Sequence, residues 1–282
     1  MQESVGQGTK GMVRIGIKPC DDLVVGFNPG DLVFVAARPG VGKSALTMNN
    51  IVLSNAENEI GCAVFSLEMP KDQLIDRVLC SEAFVDSRNI PLGKVQKEDW
   101  SRLTVAAERV ASLPIKVDDE PMLSVTAIRA KARRIKSDFS KRGIKLGLIV
   151  IDYLQLMEVN PKIQNRDQQI AENTRRLKAL AKSMKCVVLV VCAMNRDSEK
   201  RGGKRSRPKL ADLRESGSIE YDADVILFLH DPEEDAEDGV APIEFIVGKG
   251  RNYGKGLIRI GLQKAYTRFA ALERGYSEED EA

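Results

Sequence analysis

A glycine-rich stretch near the start of the chain has the residue types and the spacing of a phosphate-binding loop. Its residues are Arg38, Pro39, Gly40, Val41, Gly42, Lys43, Ser44 and Ala45. The pattern G-x-x-x-x-G-K-[ST] is met except at its first position, which Ala37 occupies. Glycines let backbone amides turn toward a phosphate, and a helix N-terminus adds its positive dipole end. We therefore expect Lys43 to reach the β- and γ-phosphates of ATP and Ser44 to hold Mg²⁺.

The elements around this loop decide between a nucleotide site and an ordinary glycine-rich turn. The apolar run Leu32–Ala37 predicts a buried parallel strand, and the spacing in Ser44–Ala56 predicts a helix. A turn from strand to helix is the context that the motif requires. The loop is therefore predicted to bind a nucleotide although its first glycine is missing.

Two carboxylates are predicted at the same edge of the sheet as the loop. Asp152 ends the apolar strand in GLIVIDYLQLM, where it would support Mg²⁺ across the phosphates. Glu68 follows a strand in VFSLEMP, where it would deprotonate an attacking water. A glutamate at a helix N-terminus, ahead of Pro70, explains Glu68 equally well, so both interpretations stay open on these residues alone.

Short apolar runs alternate with stretches of helical periodicity, which predicts an α/β fold with a mostly parallel sheet flanked by helices. The predicted strands are Leu32–Ala37, Cys62–Leu67, Leu148–Ile151, Val187–Cys192 and Val225–Leu229. The predicted helices are Lys71–Phe84, Glu98–Ser112, Val125–Phe139 and Gln168–Met184. After Pro242, two strands around an Asn-Tyr-Gly-Lys-Gly turn predict an antiparallel hairpin at one sheet edge. Residues 1–18 are predicted to be a flexible lead-in, 19–272 a single domain, and 273–282 an acidic tail.

Composition favours a protein of the cytoplasm that does not enter a membrane. The chain has 282 residues and a formal net charge of +2, so binding to nucleic acid must come from a local patch. Such a patch is residues 196–209, where seven Lys or Arg residues stand against two acidic ones. No apolar run approaches the roughly 20 residues of a membrane span. Five cysteines without a C-x-x-C pair suit buried, reduced thiols, and the single His230 is predicted to end a strand.

Six motifs, in this order, resemble those of the DnaB-type replicative DNA helicases: ARPGVGKS, FSLEMPKDQL, LIVIDYLQLM, LKALAKSMK, DLRESGSIEYDADVI and GKGRNYGKG. The resemblance runs from about Asp22 to Leu272, and FSLEMP and DLRESGSIE-DAD are its most specific parts. It implies a RecA-like P-loop NTPase fold. It also implies a hexameric ring that encircles single-stranded DNA, moves on it by ATP hydrolysis and unwinds duplex DNA in the 5′–3′ sense.

The resemblance also assigns catalytic roles residue by residue. It makes Glu68 the catalytic base, which chooses between the two interpretations above. In GKGRNYGKG it makes Arg251 an arginine finger that reaches the γ-phosphate of the neighbouring subunit, with Lys249 as its companion. A hairpin tip is able to project a guanidinium across an interface, whereas the simpler interpretation is a solvated turn.

DNA contacts and further partners follow from the same resemblance. DLRESG matches a loop that holds DNA phosphates through Arg214, Glu215 and Gly217, and the simpler interpretation is a helix-capping turn. Arg205 and Arg207 of the basic segment would add a salt-sensitive grip on the DNA backbone. Primase and loader proteins are the protein partners implied, in a bacterial cell or for a phage- or plasmid-encoded protein acting there.

Two departures from the family pattern bear on how hydrolysis and DNA binding are coupled. Where the family has the glutamine of S-Q-L-N-R, which senses the γ-phosphate, this chain has Ala193 in CAMNR. Asn195 is the nearest polar candidate to replace it. The family's N-terminal domain and linker helix, which latch subunits together, are expected to be missing, so that ring assembly would depend more on ATP or DNA.

Two alternative functions share the same loop. A RecA/RadA-like recombinase filament on DNA would use the same head-to-tail interface, but FSLEMP and the finger hairpin argue against it. An assembly or accessory module would bind ATP and single-stranded DNA with weakly coupled hydrolysis, as the methyl group of Ala193 suggests. Hydrolysis that DNA stimulates strongly would separate the motor from this module.

Overall fold

The structure is a computed structural model and describes residues 11–194, 206–213, 217–251 and 253–272. Its strands are β1 Leu32–Ala37, β2 Ile60–Ser66, β3 Ile115–Asp118, β4 Lys145–Asp152, β5 Val187–Ala193, β6 Val225–His230, β7 Val240–Gly250, β8 Gly256–Gln263 and β9 Arg268–Ala271. Its α-helices are α1 Lys18–Val24, α2 Lys43–Ala45, α3 Leu53–Glu57, α4 Lys71–Ala83, α5 Lys97–Ser112, α6 Val125–Lys141, α7 Arg166–Met184 and α8 Gly217–Asp222. A π-helical turn, Leu46–Val52, joins α2 to α3 without a break.

Within these residues the strands form one sheet in the order β3-β2-β4-β5-β1-β6-β7-β8-β9. The first six strands in this order are parallel, and β7, β8 and β9 add an antiparallel edge. The predicted α/β fold with a mostly parallel sheet and a hairpin at one edge is therefore confirmed. The five predicted strands and the four helices predicted from Lys71 onward are present, with ends that differ by at most a few residues. The helix predicted over Ser44–Ala56 is formed by α2, the π-helical turn and α3 in succession.

The sheet is covered on both faces, and successive residues of each strand point into opposite core layers. In β1, Val33 and Val35 pack into the core layer that includes the π-helical turn and α4. Leu32 and Phe34 pack into the opposite layer, which includes residues of α6 and α7. This double burial accounts for the nearly continuous apolar runs that identified the strands in the sequence.

The strand register places the β7–β8 turn and the β8–β9 turn at opposite edges of the parallel sheet. Along β6, Val225 is level with Val33 of β1 at the amino edge, and Leu229 is level with Ala37 at the carboxyl edge. Gly250 of β7 pairs with Val225, so the β7–β8 turn lies at the amino edge. The β8–β9 turn follows β8 back to the carboxyl edge, where the phosphate loop begins.

The N-terminal boundary differs from the prediction of a flexible lead-in up to residue 18. Val13, Ile15 and Ile17 are buried, and Val13 exchanges two backbone hydrogen bonds with Phe27. Because alternate residues of this segment cover the core, residues 13–17 are part of the domain and the predicted start at residue 19 is too late. Residues 1–10 and 273–282 lie outside the described residues.

The smaller predictions about cysteine, histidine and membrane segments have clear outcomes. All five cysteines are free and buried, and burial raises the pKa of Cys80 to about 11 and that of Cys192 to about 12. Their thiols therefore stay protonated and inert at neutral pH. His230 ends β6 and is buried. In the described part of the chain, no helix combines the length and the apolar character needed to cross a membrane.

Candidate nucleotide site

The phosphate loop turns from β1 into α2 at the carboxyl edge of the sheet. Gly40 and Gly42 have φ angles of 83° and 104°, in the left-handed region that favours glycine. A Cβ atom on Gly42 would come within 2.9 Å of the Phe269 ring of β9, so this position has neither the angle nor the space for a side chain. The local geometry therefore explains both glycines of the motif.

Lys43 is folded back over the loop from which it starts. Its Nζ donates hydrogen bonds to the carbonyl oxygens of Ala37 and Arg38, at 3.0 and 3.1 Å. Burial lowers the pKa of Lys43, and the thiol of Cys192 and the carboxyl groups of Asp152 and Glu68 act in the opposite direction. The amine is thus held at the cavity by two neutral acceptors, which a phosphate oxygen is able to replace.

Ser44 and Asp152 meet as the sequence predicts. The Ser44 hydroxyl donates to Oδ2 of Asp152 at 2.7 Å, and Asp152 is buried at the end of β4. Burial raises the pKa of Asp152 most strongly, the Ser44 hydrogen bond lowers it, and Glu68 raises it further. A buried carboxylate beside a hydroxyl is an oxygen donor set of the kind that Mg²⁺ prefers.

A cavity of about 530 Å³ joins the phosphate loop to the carboxylates. Six of the eight predicted loop residues line it: Pro39, Gly40, Gly42, Lys43, Ser44 and Ala45. Arg38 and Val41 do not line it, and they face a separate cavity of about 350 Å³ on the other side of the loop. Glu68 is exposed at the wall of the larger cavity, together with Asp152. The carboxylates predicted at one edge are therefore brought together.

The same cavity is lined by residues that the sequence analysis did not single out. Arg77 of α4 reaches it one helical turn after Leu74, and its positive charge lowers the pKa of Asp152. Lys264 and Thr267 of the β8–β9 turn also line it, together with Asn49, whose Nδ2 donates to the Thr267 carbonyl oxygen at 2.7 Å. Their positions depend on pairing between distant strands, which no local pattern in the sequence reveals.

Ala193, which stands where the family has glutamine, ends β5 at the wall of the cavity. Its backbone is bound on both sides by Gln155, whose Nε2 donates to the Ala193 oxygen and whose Oε1 accepts from the Ala193 nitrogen, each at 3.3 Å. Gln155 thus connects the segment after Asp152 to the end of β5. Asn195, the predicted replacement, lies outside the described residues.

Lys249 and Arg251 lie at the opposite edge of the sheet from the phosphate loop. Arg251 follows Gly250, which is level with Val33, whereas the phosphate loop follows Ala37. The two positions are separated by roughly 13 Å along the strand direction, at about 3.3 Å per residue. Burial lowers the pKa of Lys249, and the charge of Arg251 lowers it further. The chain's own nucleotide cavity and its predicted finger are therefore not brought together.

The predicted DNA-binding residues are described only in part. Arg205, Arg214 and Glu215 lie outside the described residues, and Gly217 is the first residue of α8. Arg207 forms a two-pronged pair with Glu244 of β7, with Nη2 to Oε1 at 2.8 Å and Nε to Oε2 at 3.0 Å. Since Glu244 is buried, Arg207 fixes the end of the basic segment to the sheet, and its contact with DNA stays a prediction.

Comparison with known proteins gives one consistent result. The family described as the DnaB-like helicase C-terminal domain matches residues 12–271. The replicative DNA helicase DnaB of Geobacillus stearothermophilus is 40% identical over 273 residues, covering 94% of this chain and 58% of that protein. The replicative DNA helicase DnaC of Bacillus subtilis is 38% identical over 269 residues, with the same two coverages. The chain thus spans a little more than half the length of these curated relatives.

Solved structures agree with the sequence relatives. The ATPase domain of G40P superposes with a TM-score of 0.84 at 30% identity, covering 96% of this chain and 95% of that chain. A DnaB-like replicative helicase, described with its interactions with primase, has the same TM-score and identity and covers 96% of this chain and 64% of that chain. The RecA-like fold expected from the resemblance is confirmed by these neighbours.

Proposed function

This chain belongs to the family of the DnaB-like helicase C-terminal domain, and from that premise we propose that it is the motor of a replicative DNA helicase. It hydrolyses ATP, assembles head to tail into a ring, moves on single-stranded DNA and unwinds duplex DNA. Primase is a proposed partner, because a DnaB-like helicase of the same fold is described with its interactions with primase. The proposed site of action is the bacterial cytoplasm, for a chromosomal or a phage- or plasmid-encoded protein.

The single observation that carries this proposal is the division of the catalytic residues between two edges of the sheet. Lys43, Glu68 and Asp152 surround one cavity, and Arg251 lies at the far edge. A complete site therefore needs the far edge of a second copy, presented to the cavity of the first. Such a heterologous contact repeats from copy to copy and closes into a ring or continues as a filament.

The residues around the cavity supply the proposed chemistry of ATP hydrolysis. The Lys43 amine leaves two backbone carbonyls for the phosphates, and the loop amides around Gly40 and Gly42 bind the same group. Glu68, exposed at the cavity wall, accepts a proton from the attacking water. The neighbour's Arg251 and Lys249 then stabilise the negative charge that develops on the phosphates.

The residues present fit Mg²⁺ as the proposed cofactor. Ser44 and Asp152 are already paired at 2.7 Å, and both line the cavity at the level of Lys43. Mg²⁺ held there would neutralise charge on the phosphates and orient them for in-line attack. Because burial raises the pKa of Asp152, a cation is the natural partner for its ionised form.

One observation, the methyl group of Ala193 at the cavity, supports a second candidate function. Ala193 presents a methyl group to the cavity where the family pattern has a glutamine, so a direct side-chain contact between that position and phosphate is lost. The chain would then be an ATP- and DNA-binding assembly module whose hydrolysis responds weakly to DNA. Gln155 supports the motor over this module. It is bound to the Ala193 backbone, so it connects the end of β5 to the segment that follows Asp152 without using the side chain of residue 193.

The proposal is tested by strand displacement and steady-state ATP hydrolysis on the same preparations. We expect hydrolysis per chain to rise with protein concentration and to be stimulated by single-stranded DNA. Lys43→Ala is expected to abolish both hydrolysis and strand displacement. Lys71→Ala, an exposed lysine that does not line the cavity, is the matched control and is expected to behave like the parent. Unwinding by Lys43→Ala at the parental rate would contradict the site assignment.

A further inference from the structure

The short helix α8 ends beside the turn of the β7–β8 hairpin, and its last carbonyls are bound by two cations. Nζ of Lys249 donates to the carbonyl oxygens of Glu220 and Ala223, the latter at 2.7 Å. Nη2 of Arg251 donates to the carbonyl oxygen of Tyr221 at 2.6 Å. The last carbonyls of a helix have no donors within the helix and carry its negative dipole end. Lys249 and Arg251 therefore form a cationic cap on α8.

Asp224 fastens this cap to the rest of the domain. Its carboxylate accepts hydrogen bonds from the Leu32 nitrogen, at 2.7 Å, and from Nζ of Lys178. The Arg251 nitrogen donates to the Asp224 carbonyl at 3.0 Å, and Nη1 of Arg251 lies 3.7 Å from Oδ1. The end of α8, the start of β1, helix α7 and the hairpin thus meet at one buried carboxylate.

The other end of α8 begins where the predicted DNA contacts end. Gly217 is the first residue of the helix and directly follows the DLRES segment that carries Arg214 and Glu215. A helix of this length, Gly217–Asp222, has little stability of its own, so its position depends on what holds its end. The cap at Lys249 and Arg251 is such a support.

We propose that Lys249 and Arg251 are positioning residues for α8 within their own subunit, in addition to their proposed action on the neighbour's nucleotide. The second half of this inference rests on the proposed function. Because Tyr221 belongs to the same subunit as Arg251, we infer that this hydrogen bond breaks when the guanidinium extends to a phosphate of another subunit. Nucleotide in the neighbour and the cap on α8 therefore compete for one side chain.

This competition links nucleotide in one subunit to α8 of the next by a route that does not use residue 193. When Arg251 is drawn to the neighbour's nucleotide, α8 loses part of its cap. Hydrolysis and release return the guanidinium to Tyr221. Because linkage is reciprocal, a change that stabilises the capped α8 also lowers the affinity of the trans contact.

Hydrogen exchange at the Ala223 amide tests the cap in the nucleotide-free chain. This amide donates to the Ile219 carbonyl at 3.0 Å, so its exchange reports opening of the last turn of α8. For Arg251→Ala we expect exchange roughly tenfold faster than in the parent, from the loss of a charge-assisted hydrogen bond. Unchanged exchange would overturn the proposal.

Two controls separate the cap from general damage. Arg259→Ala removes a different cation of the same hairpin, one that pairs with Glu234, and it is expected to leave Ala223 exchange unchanged. Arg251→Lys keeps a donor and is expected to fall between the parent and Arg251→Ala. Exchange at the Val35 amide, in the buried β1, must stay slow in every variant, because faster exchange there would attribute the effect to unfolding and overturn the assignment to the cap.

A last measurement separates this inference from the proposed function. In the assembled parent, a non-hydrolysable ATP analogue with Mg²⁺ is expected to speed Ala223 exchange as Arg251 leaves Tyr221. No change on adding the analogue, in a chain where Arg251→Ala does speed exchange, would overturn the competition. A parent that neither hydrolyses ATP nor binds DNA would refute the proposed function, whereas the exchange result for Arg251→Ala would still decide the cap.

Discussion

Asp152 shows how the environment of one residue joins the fold to the proposed chemistry. It is buried at the end of β4, accepts a hydrogen bond from Ser44 and lies within the electrostatic reach of Lys43 and Arg77. Burial nevertheless raises the pKa of Asp152, so the fold stabilises its protonated form over its ionised one. The ionised form of this carboxylate is therefore more favourable beside a bound cation than in the metal-free protein.

Asp152→Asn is therefore expected to change activity and stability in opposite directions. Hydrolysis should fall by about 10²-fold or more because the metal loses a charged ligand. The free energy of unfolding of the metal-free chain at pH 7 should rise, because asparagine carries no buried charge. A raised pKa destabilises the fold only where the unfolded chain is ionised, so the gain should disappear as the pH falls below the ordinary aspartate pKa of about 4. Thermal unfolding at both pH values, with EDTA present, makes the comparison.

A lower stability of Asp152→Asn at pH 7 would contradict the raised pKa. Ser44→Ala is the companion variant, because it removes the hydroxyl that donates to Asp152 but leaves the carboxyl group buried. It should lower metal-dependent hydrolysis without the gain in stability.

Ala193→Gln tests what the methyl group at the cavity wall has removed. The new carboxamide would lie in the cavity beside Asp152, within reach of a bound phosphate. We expect the ratio of kcat with and without single-stranded DNA to rise by about fivefold, the equivalent of one hydrogen bond. Ala193→Leu adds similar volume without an amide and should leave the ratio unchanged. Equal ratios in the two variants would indicate that this position has no part in coupling.

At the scale of elements, Arg207 joins the described end of the basic segment to the sheet through a charged pair with Glu244. Arg207→Ala leaves the carboxylate of Glu244, which is 2% exposed, without its two-pronged partner. The expected loss is about 2 kcal/mol of unfolding free energy, below the ~3–5 kcal/mol of a fully buried pair because half of Arg207 is in solvent. Chemical denaturation of Arg207→Ala measures it. The double variant Arg207→Ala/Glu244→Gln should recover most of the loss, and a double variant no more stable than the single one would refute this explanation.

The elements that position the nucleotide cavity are predictable from the sequence because their signals are local. Five apolar runs, bounded by turn residues, mark the buried strands, and the loop motif with Asp152 and Glu68 marks the carboxyl edge. The edge strand β3 and the last strand β9 are short and partly exposed, so they carry little apolar signal. The roles of Arg77 and Thr267 in the cavity and of Arg207 at Glu244 depend on contacts between distant segments, which single-residue patterns do not encode.

At the scale of the whole molecule, the sheet separates what the proposed reaction must bring together. The hairpin returns antiparallel along β6, so Arg251 lies at the amino edge while Lys43 and Glu68 lie at the carboxyl edge. Under the proposed function, a single copy therefore holds two incomplete halves of the site. Glu68→Gln damages the half that contains the cavity, and Arg251→Ala damages the half offered to a neighbour.

The most direct test is ATP hydrolysis by an equal mixture of Glu68→Gln and Arg251→Ala in the presence of single-stranded DNA. Each variant alone is expected to be nearly inactive. In a randomly mixed assembly, about a quarter of the interfaces pair an intact Glu68 with an intact Arg251 from the next copy, so about a quarter of the parental rate should return. A mixture that assembles but stays as inactive as its two components would contradict a site shared between subunits.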